Sequence, residues 1–208
     1  MTIDMLNTMK HRCVLTALAV AACIGLAGTG ANAAESTNAS QPTAVNAHKY
    51  DQEWFTAARA GRTDILGALL AAHYPIDATT PEGYTAVILT AYDNQPAALS
   101  FLLKAGANAC IGDRNGNTAL MGALFKGEAG IATTLMHTPC KIDQTNNSGE
   151  TALSFAALFG RLDLLPQLVA LGADPNHVDA RGGTALRMAV AQGNTTAAEA
   201  LRKVGATR

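Results

Sequence analysis

Gly149-Glu150-Thr151-Ala152-Leu153 decides the fold, because the same frame returns at a constant interval. Gly116-Asn117-Thr118-Ala119-Leu120 stands one period of 33 before it, Gly83-Tyr84-Thr85-Ala86-Val87 two periods before, and Gly182-Gly183-Thr184-Ala185-Leu186 one period after. A second column keeps the same register: Gly61, Asn94, Gly127, Gly160 and Gly193. Glycine and asparagine best tolerate left-handed backbone, the usual way to end a helix. Each unit therefore closes a helix at this column and turns back. Four unslipped copies indicate one supersecondary unit stacked repeatedly.

In the unit opened by Gly149, Thr151 is placed to cap a first helix whose Leu153, Phe155, Ala156 and Ala157 form a small, apolar face. Leu162, Leu164, Leu165, Leu168 and Val169 make a second helix, and Gly172-Ala173-Asp174-Pro175-Asn176 carries the chain onward. A helix pair of this size cannot hide its apolar faces alone, so the units must stack. The expected fold is an all-α repeat, a solenoid of about five helix-turn-helix units joined by β-turn or hairpin loops. The units fall at about 50–79, 80–112, 113–145, 146–178 and 179–208.

The chain opens differently. Lys10, His11 and Arg12 precede an apolar or small-residue run from Cys13 to Gly28, and Ala31-Asn32-Ala33 follows with small residues where an export peptidase cuts. That order reads as a secretory signal peptide, residues 1–33, with Met9 as the alternative start. The run is short of the roughly 20 residues that a membrane span needs. The expected location is therefore periplasmic or secreted, after cleavage near Ala33. The alternative is a lipoprotein, since Val20-Ala21-Ala22-Cys23 resembles the box that ends in a lipid-modified cysteine. Residues 34–49 are polar and aperiodic and read as a flexible linker in which His48 has no role. The repeat domain spans 50–208.

Removing residues 1–33 takes away Asp4, Lys10 and Arg12, so the basic side chains fall from 15 to 13 and the acidic ones from 16 to 15. A near-neutral chain without basic blocks gives no footprint for nucleic acid. No phosphate loop, nucleophile elbow or His-Glu-x-x-His is present, and the carboxylates Asp93, Glu150 and Asp163 are scattered over repeat positions. No catalytic residue and no cofactor is expected. His137-Thr138-Pro139-Cys140, with Cys110 and His73, offers only a weak set of metal ligands without a second paired motif, so no metal centre is expected either.

These residues resemble the ankyrin repeat, whose pattern runs Gly-x-Thr-Pro-Leu-His-x-Ala-Ala-x-x-Gly and later Leu-Leu-x-x-Gly-Ala-Asp-x-Asn. Gly172-Ala173-Asp174-Pro175-Asn176 and Gly106-Ala107-Asn108 match the closing turn, and Leu102-Leu103 and Leu168-Val169 stand at the paired leucines. Glu53 to Gly61 looks like the truncated N-terminal capping unit of that family. The resemblance covers 51–208 and implies an ankyrin-type solenoid. Ala86, Ala119, Ala152 and Ala185 replace the family's proline, leaving the first helices without a preset start. Ile88, Met121, Ser154 and Arg187 replace its histidine, which removes that histidine's hydrogen bonds and implies lower stability than a consensus array. Thr138-Pro139-Cys140 replaces Gly-Ala, so a distorted corner is expected there. Pro166 should kink or shorten its helix, unless that helix starts late enough to place it in the first turn.

In ankyrins the concave side consists of turn tips and first-helix ends, so the resemblance places partner binding on Tyr84, Tyr92, Asp93, Arg114, Asn117, Phe125, Lys126, Leu158, Phe159 and Arg181. Tyr92, Phe125 and Leu158 share one column and would form a stripe across three units, as anchors for a protein partner. The alternative buries Phe125 and Leu158 between adjacent first helices. Cys110 and Cys140 lie in successive turns, separated by slightly less than one period. They read either as a disulfide or as two separate thiols, with the stacking distance of the units the obstacle to a bond. Two functions follow. One is a scaffold holding another exported protein; bacterial exported ankyrin-repeat proteins, which the chain resembles, include some that accompany periplasmic catalase. The other is an inhibitor or immunity-type protein that blocks a periplasmic enzyme or toxin.

Overall fold

The computed structural model describes residues 47–208; the expected signal peptide, most of the expected linker and Cys23 lie outside them. Ten α-helices follow one another as five pairs: α1 Asp51–Arg59 with α2 Thr63–Ala71, α3 Ala86–Tyr92 with α4 Pro96–Lys104, α5 Ala119–Lys126 with α6 Ala129–Met136, α7 Ala152–Leu158 with α8 Leu165–Ala170, and α9 Ala185–Ala191 with α10 Thr195–Lys203. The first helices stack in order α1, α3, α5, α7, α9, and α2, α4 and α6 stack alongside. Among the described residues no strand forms beyond a single antiparallel bridge between Thr79 and Thr85.

Each first helix from the second unit onward starts by the same device. Thr85, Thr118, Thr151 and Thr184 adopt extended backbone, and their hydroxyls accept from the amides of Ile88, Met121, Ser154 and Arg187. A threonine cap contributes about 1 kcal/mol. It supplies the start that the missing proline was expected to leave unset. Gly61, Asn94, Gly127, Gly160 and Gly193 all have positive φ, so the second column ends the helices as its composition predicts. Leu102, Leu135, Leu168 and Leu201 form a buried column on the second helices, one in each unit from the second to the fifth. Alanines such as Ala91, Ala123 and Ala156 let the first helices approach closely. Burying each leucine contributes roughly 2 kcal/mol.

The turn tips set the spacing between units. The amide of Arg114 donates to Glu82 O, Asn147 to Asn115 O and Ala180 to Ser148 O, at 2.8–3.0 Å. The leading glycines sit where these tips touch. A Cβ on Gly83, Gly116 or Gly149 would lie 2.7 Å from Arg114 N, 2.9 Å from Asn147 N or 2.5 Å from Ala180 N. Gly182, in the last unit, faces open space and has only its left-handed φ to justify it. The tips of the last three units are each tied internally by one buried side chain. Asp113 Oδ1 accepts from Asn115 and Asn117, Asn146 Oδ1 from Ser148 and Glu150, and Asp179 Oδ1 from Arg181 and Gly183. The Gly183 amide, followed by that of Arg181, holds the Asp179 carboxyl below its ordinary value.

A second recurring tie joins the outer turns. Asp77 accepts from the Asn108 amide, Asp143 from Asp174 and Asn176 from Thr207. At the one remaining junction the acceptor position is Cys110, which forms a disulfide with Cys140, Cα to Cα 5.3 Å. The stacking distance expected to stand in the way is therefore within reach of a bond.

The irregular places each have a local remedy. Pro166 enters no helix interior, because Leu162–Leu164 is a 3-10 turn and α8 begins at Leu165, which puts the proline in its first turn. At the third corner, Pro139 replaces the left-handed residues Gly106, Gly172 and Gly205, and the chain bends without that conformation. The Leu135 carbonyl accepts from the amide and hydroxyl of Thr138, whereas Leu102, Leu168 and Leu201 carbonyls accept from Ala107, Ala173 and Ala206. At the N-terminal end, Ala47–Tyr50 is already a 3-10 turn, running from the last residues assigned to the linker into the repeat domain, and His48 Nδ1 lies 3.0 Å from Asp51. Fully buried Trp54 packs on Tyr74, ring centroids 5.0 Å apart, and Tyr74 donates to Asp51 at 2.6 Å. That hydroxyl, ahead of His48, holds the Asp51 carboxyl low, while burial raises the Tyr74 phenol.

In urea unfolding, Gly182→Ala should cost about 1 kcal/mol for a Cβ in left-handed backbone, and Gly149→Ala roughly 3 kcal/mol, because the neighbouring tip must also move. Asp179 is depressed in the folded state, so its contribution is present above about 4, the unfolded value, and fades as pH falls through its lower folded value. Asp179→Asn, which copies Asn146, should keep the turn at neutral pH and lose that acid dependence, whereas Asp179→Ala should cost about 1–3 kcal/mol at neutral pH. Thermal melts across the acid range measure both.

Candidate functional site

An aromatic row runs across the second, third and fourth units. Tyr84 and Tyr92 have ring centroids 6.1 Å apart, Tyr92 and Phe125 6.3 Å, and Phe125 and Phe159 4.9 Å in an edge-to-face arrangement; Phe155 lies 5.5 Å from Phe159. These separations match the attractive range for aromatic pairs. The row follows from the repeat: Tyr92 ends α3, Phe125 stands in the last turn of α5, and Phe159 follows α7 directly.

Its geometry depends on one small residue. A Cβ on Gly122 would meet Tyr92 Cε2 at 2.6 Å, so the bare backbone of α5 is what lets the Tyr92 ring lie across it. Phe155 occupies the equivalent position on α7, and there the ring fills the place that Gly122 leaves empty. Burial of the ring, with smaller contributions from Tyr84 and Asp113, pushes the Tyr92 phenol above its ordinary value, so its hydroxyl stays a neutral donor near neutral pH. Phe125 is 46% exposed and Leu158 40%. Neither is buried between first helices, which removes the core alternative for both.

The remaining expected site residues divide. Asp93 pairs with Arg59 at 3.1 Å beside the row. Asn117 Oδ1 accepts from Asn146 Nδ2, which also donates to Glu150, and Glu150 lies 3.7 Å from the Arg181 guanidinium. A polar rail thus runs beneath the tips of the third to fifth units. Arg114 is anchored by its backbone, whose carbonyl accepts from Asn147 Nδ2, and its side chain is exposed, as is that of Lys126. Leu158 falls outside the ring contacts and lines a shallow hollow with Met188, Ala189 and Gln192. Phe155 packs half-buried against the core, as its place on the apolar helix face predicts, and it also joins the row. Its spacing of four from Phe159, which sets two helical side chains on one face, was the signal available. Glu150, one of the positions flanking the leading glycine, ties Asn146 to Arg181.

Cys110 and Cys140 are consumed by each other, and His137 Nδ1 lies 2.8 Å from Thr133 O. Among the described residues no cluster of three or more His, Cys, Asp or Glu could hold a metal ion. A hollow of about 240 Å³ between the third and fourth units contains Arg161 and Asp163. The Arg161 guanidinium is already bonded to the Leu124 and Phe125 carbonyls at the end of α5.

Comparison with known proteins agrees with this architecture. The family model for ankyrin repeats (three copies) matches residues 54–146 and 126–207. The NF-kappa-B p105 subunit of Gallus gallus is 34% identical over 121 residues, covering 56% of this chain and 12% of that protein. Neurogenic locus notch homolog protein 1 of Homo sapiens is 34% identical over 131 residues, 62% of this chain and 5% of that protein. NF-kappa-B inhibitor alpha of Rattus norvegicus is 37% identical over 98 residues, 44% of this chain and 31% of that protein. The chain thus spans under a third of the length of each of these relatives, and the likeness is one of repeat domains. With the threonine-capped helix pairs, the glycine tips and a matching family model over nearly the whole described chain, the protein belongs to the ankyrin-repeat family.

Proposed function

We propose that this protein is a non-enzymatic scaffold that binds another exported protein through the concave face carrying the aromatic row. The observation that carries the reading is the continuity of Tyr84, Tyr92, Phe125 and Phe159 across three units, with Phe125 nearly half exposed. Rings held by neighbouring backbone lose little entropy on binding, which is why aromatic side chains dominate protein interfaces. The polar rail from Asn117 to Arg181 supplies a rim with hydrogen-bonding capacity.

Export is supported by the basic, apolar and Ala-x-Ala order of residues 1–33 and by a disulfide that suits an oxidising compartment. The partner is then an exported protein, with an antioxidant enzyme such as catalase as the first candidate, from the resemblance to bacterial exported ankyrin-repeat proteins. No helix among the described residues is long and apolar enough to cross a membrane. A lipid anchor at Cys23 is the alternative attachment, and fractionation of a Cys23→Ser variant separates the two. The second reading, an inhibitor or immunity-type protein acting on a periplasmic enzyme or toxin, draws support from the similarity to a protein named NF-kappa-B inhibitor alpha.

The test is affinity capture from the periplasmic fraction followed by assay of the recovered partner. Phe125→Ala should leave the melting temperature within a few degrees, because nearly half of the side chain is already solvated, and should weaken capture at least tenfold. Tyr92→Ala should weaken it similarly. Unchanged capture by both variants removes the aromatic row as the contact surface. A partner whose activity or lifetime rises on binding supports the scaffold, and one whose activity falls supports the inhibitor.

A further inference from the structure

We propose that the Cys110–Cys140 disulfide is a covalent replacement for the inter-unit hydrogen bond used at the other junctions, and that it ties the cohesion of the array to the thiol–disulfide state of its surroundings. Two columns of the repeat lead to this. The acceptor column reads Asp77, Cys110, Asp143 and Asn176, and its three oxygen-bearing members each accept from a backbone amide of the next unit, at Asn108, Asp174 and Thr207. The facing column reads Ala107, Cys140, Ala173 and Ala206, and its three alanines are all buried. Both columns depart from type at one junction, the second to the third unit, and the two departing residues are bonded to each other.

The same corner is irregular within its own unit. Pro139 takes the place of the left-handed glycine that precedes the facing column at the other corners, and the Leu135 carbonyl turns to Thr138. Without the disulfide this corner would hold to its neighbour through the Gln144 Nε2 bond to Cys110 O, the tip contact of Arg114 with Glu82 and helix packing. In a stacked array stability is a sum of unit and nearest-neighbour contributions, so weakening one central interface lowers the cooperativity of the whole.

Opening the bond takes two electrons from a dithiol reductant. Its thiolate attacks one cysteine sulfur, the S–S bond breaks, and the departing sulfur takes up a proton. The reductant's second thiol then displaces the mixed disulfide, leaving two cysteine thiols and an oxidised, cyclic reductant. Both cysteines are half-buried, so the bond is within reach of a small dithiol without unfolding.

The test compares wild type and two double variants by thermal melting, with and without dithiothreitol, and maps the Cys110 and Cys140 peptides by differential alkylation. Oxidised wild type should melt about 10 °C above the reduced form, the effect expected of a cross-link closing a loop of this length. Cys110→Ser/Cys140→Ala should match the reduced form and ignore the reductant. Cys110→Asp/Cys140→Ala, which rebuilds the bond that Asp77 accepts from the Asn108 amide, with the Lys141 amide as donor, should also ignore the reductant and melt about 3 °C above the serine variant, as one restored hydrogen bond predicts. The proposal is overturned if alkylation finds both thiols free in protein recovered from an oxidising compartment, if reduction moves the wild-type midpoint by less than about 2 °C, or if the aspartate variant melts no higher than the serine variant. Should the serine variant fail to fold, reduced wild type serves as its reference in the same comparison.

Discussion

The structure depends on a backbone contact between turn tips: an amide of one unit donates to the carbonyl of the unit before it, across a gap too narrow for a Cβ. That contact fixes the translation from one unit to the next. It demands glycine at 83, 116 and 149, and it tolerates no extra residue between tip and helix, because an insertion would carry the capping threonine away from its amide. The constant interval of 33 is the sequence trace of this geometry. The leucine column of the second helices and the alanines of the first then pack in register because the tips have already set the spacing.

What repeats was legible, since each repeated residue answers a demand that every unit makes. The helix ends at Gly61, Asn94, Gly127, Gly160 and Gly193, the threonine starts and the pairing of helices were all readable from residue type alone. What happens once was not. Pro166 allowed either a kinked helix or a late start, and the choice fell to the 3-10 turn at Leu162–Leu164, which carries no distinct signature. Phe155 packs on the core as its helix face predicts, but its contact with Phe159 was hidden because apolar residues on a short helix do not reveal which of two neighbours they face. At Ala47–Tyr50, Tyr50 packs on the core and His48 meets Asp51, contacts that the polar composition of the preceding stretch conceals. The ties from Asp77, Asp143 and Asn176 are hidden for a different reason: their partners lie in another column of the repeat, so comparison within columns cannot find them.

The third corner shows how such an array absorbs irregularity. Pro139 can neither adopt left-handed backbone nor donate an amide, and either defect would leave a carbonyl unpaired at the end of α6. Thr138 answers with a short hydroxyl bond to Leu135 O. The loss is confined to one corner because each unit touches only its neighbours. Substitutions at a junction are therefore judged by whether that junction's own polar groups stay paired.

The same nearest-neighbour logic explains where the aromatic row sits. In the first described unit Trp54, Tyr74 and Asp51 pack together, while Ala206 and the Thr184 bond to the Arg208 carbonyl hold the fifth. Large side chains at the first unit are thus committed to burial. The inner units have both faces covered by backbone and leucine, which frees the ends of α3 and α5 and the residue after α7 to carry rings outward. Those rings are also the best supported, because each inner unit is held by neighbours on both sides. Tyr92 lies over Gly122, a residue of the next unit, so its position is set by the inter-unit spacing itself. A surface built this way is as rigid as the stack beneath it, and its shape follows from the tip contact rather than from the helices that display it.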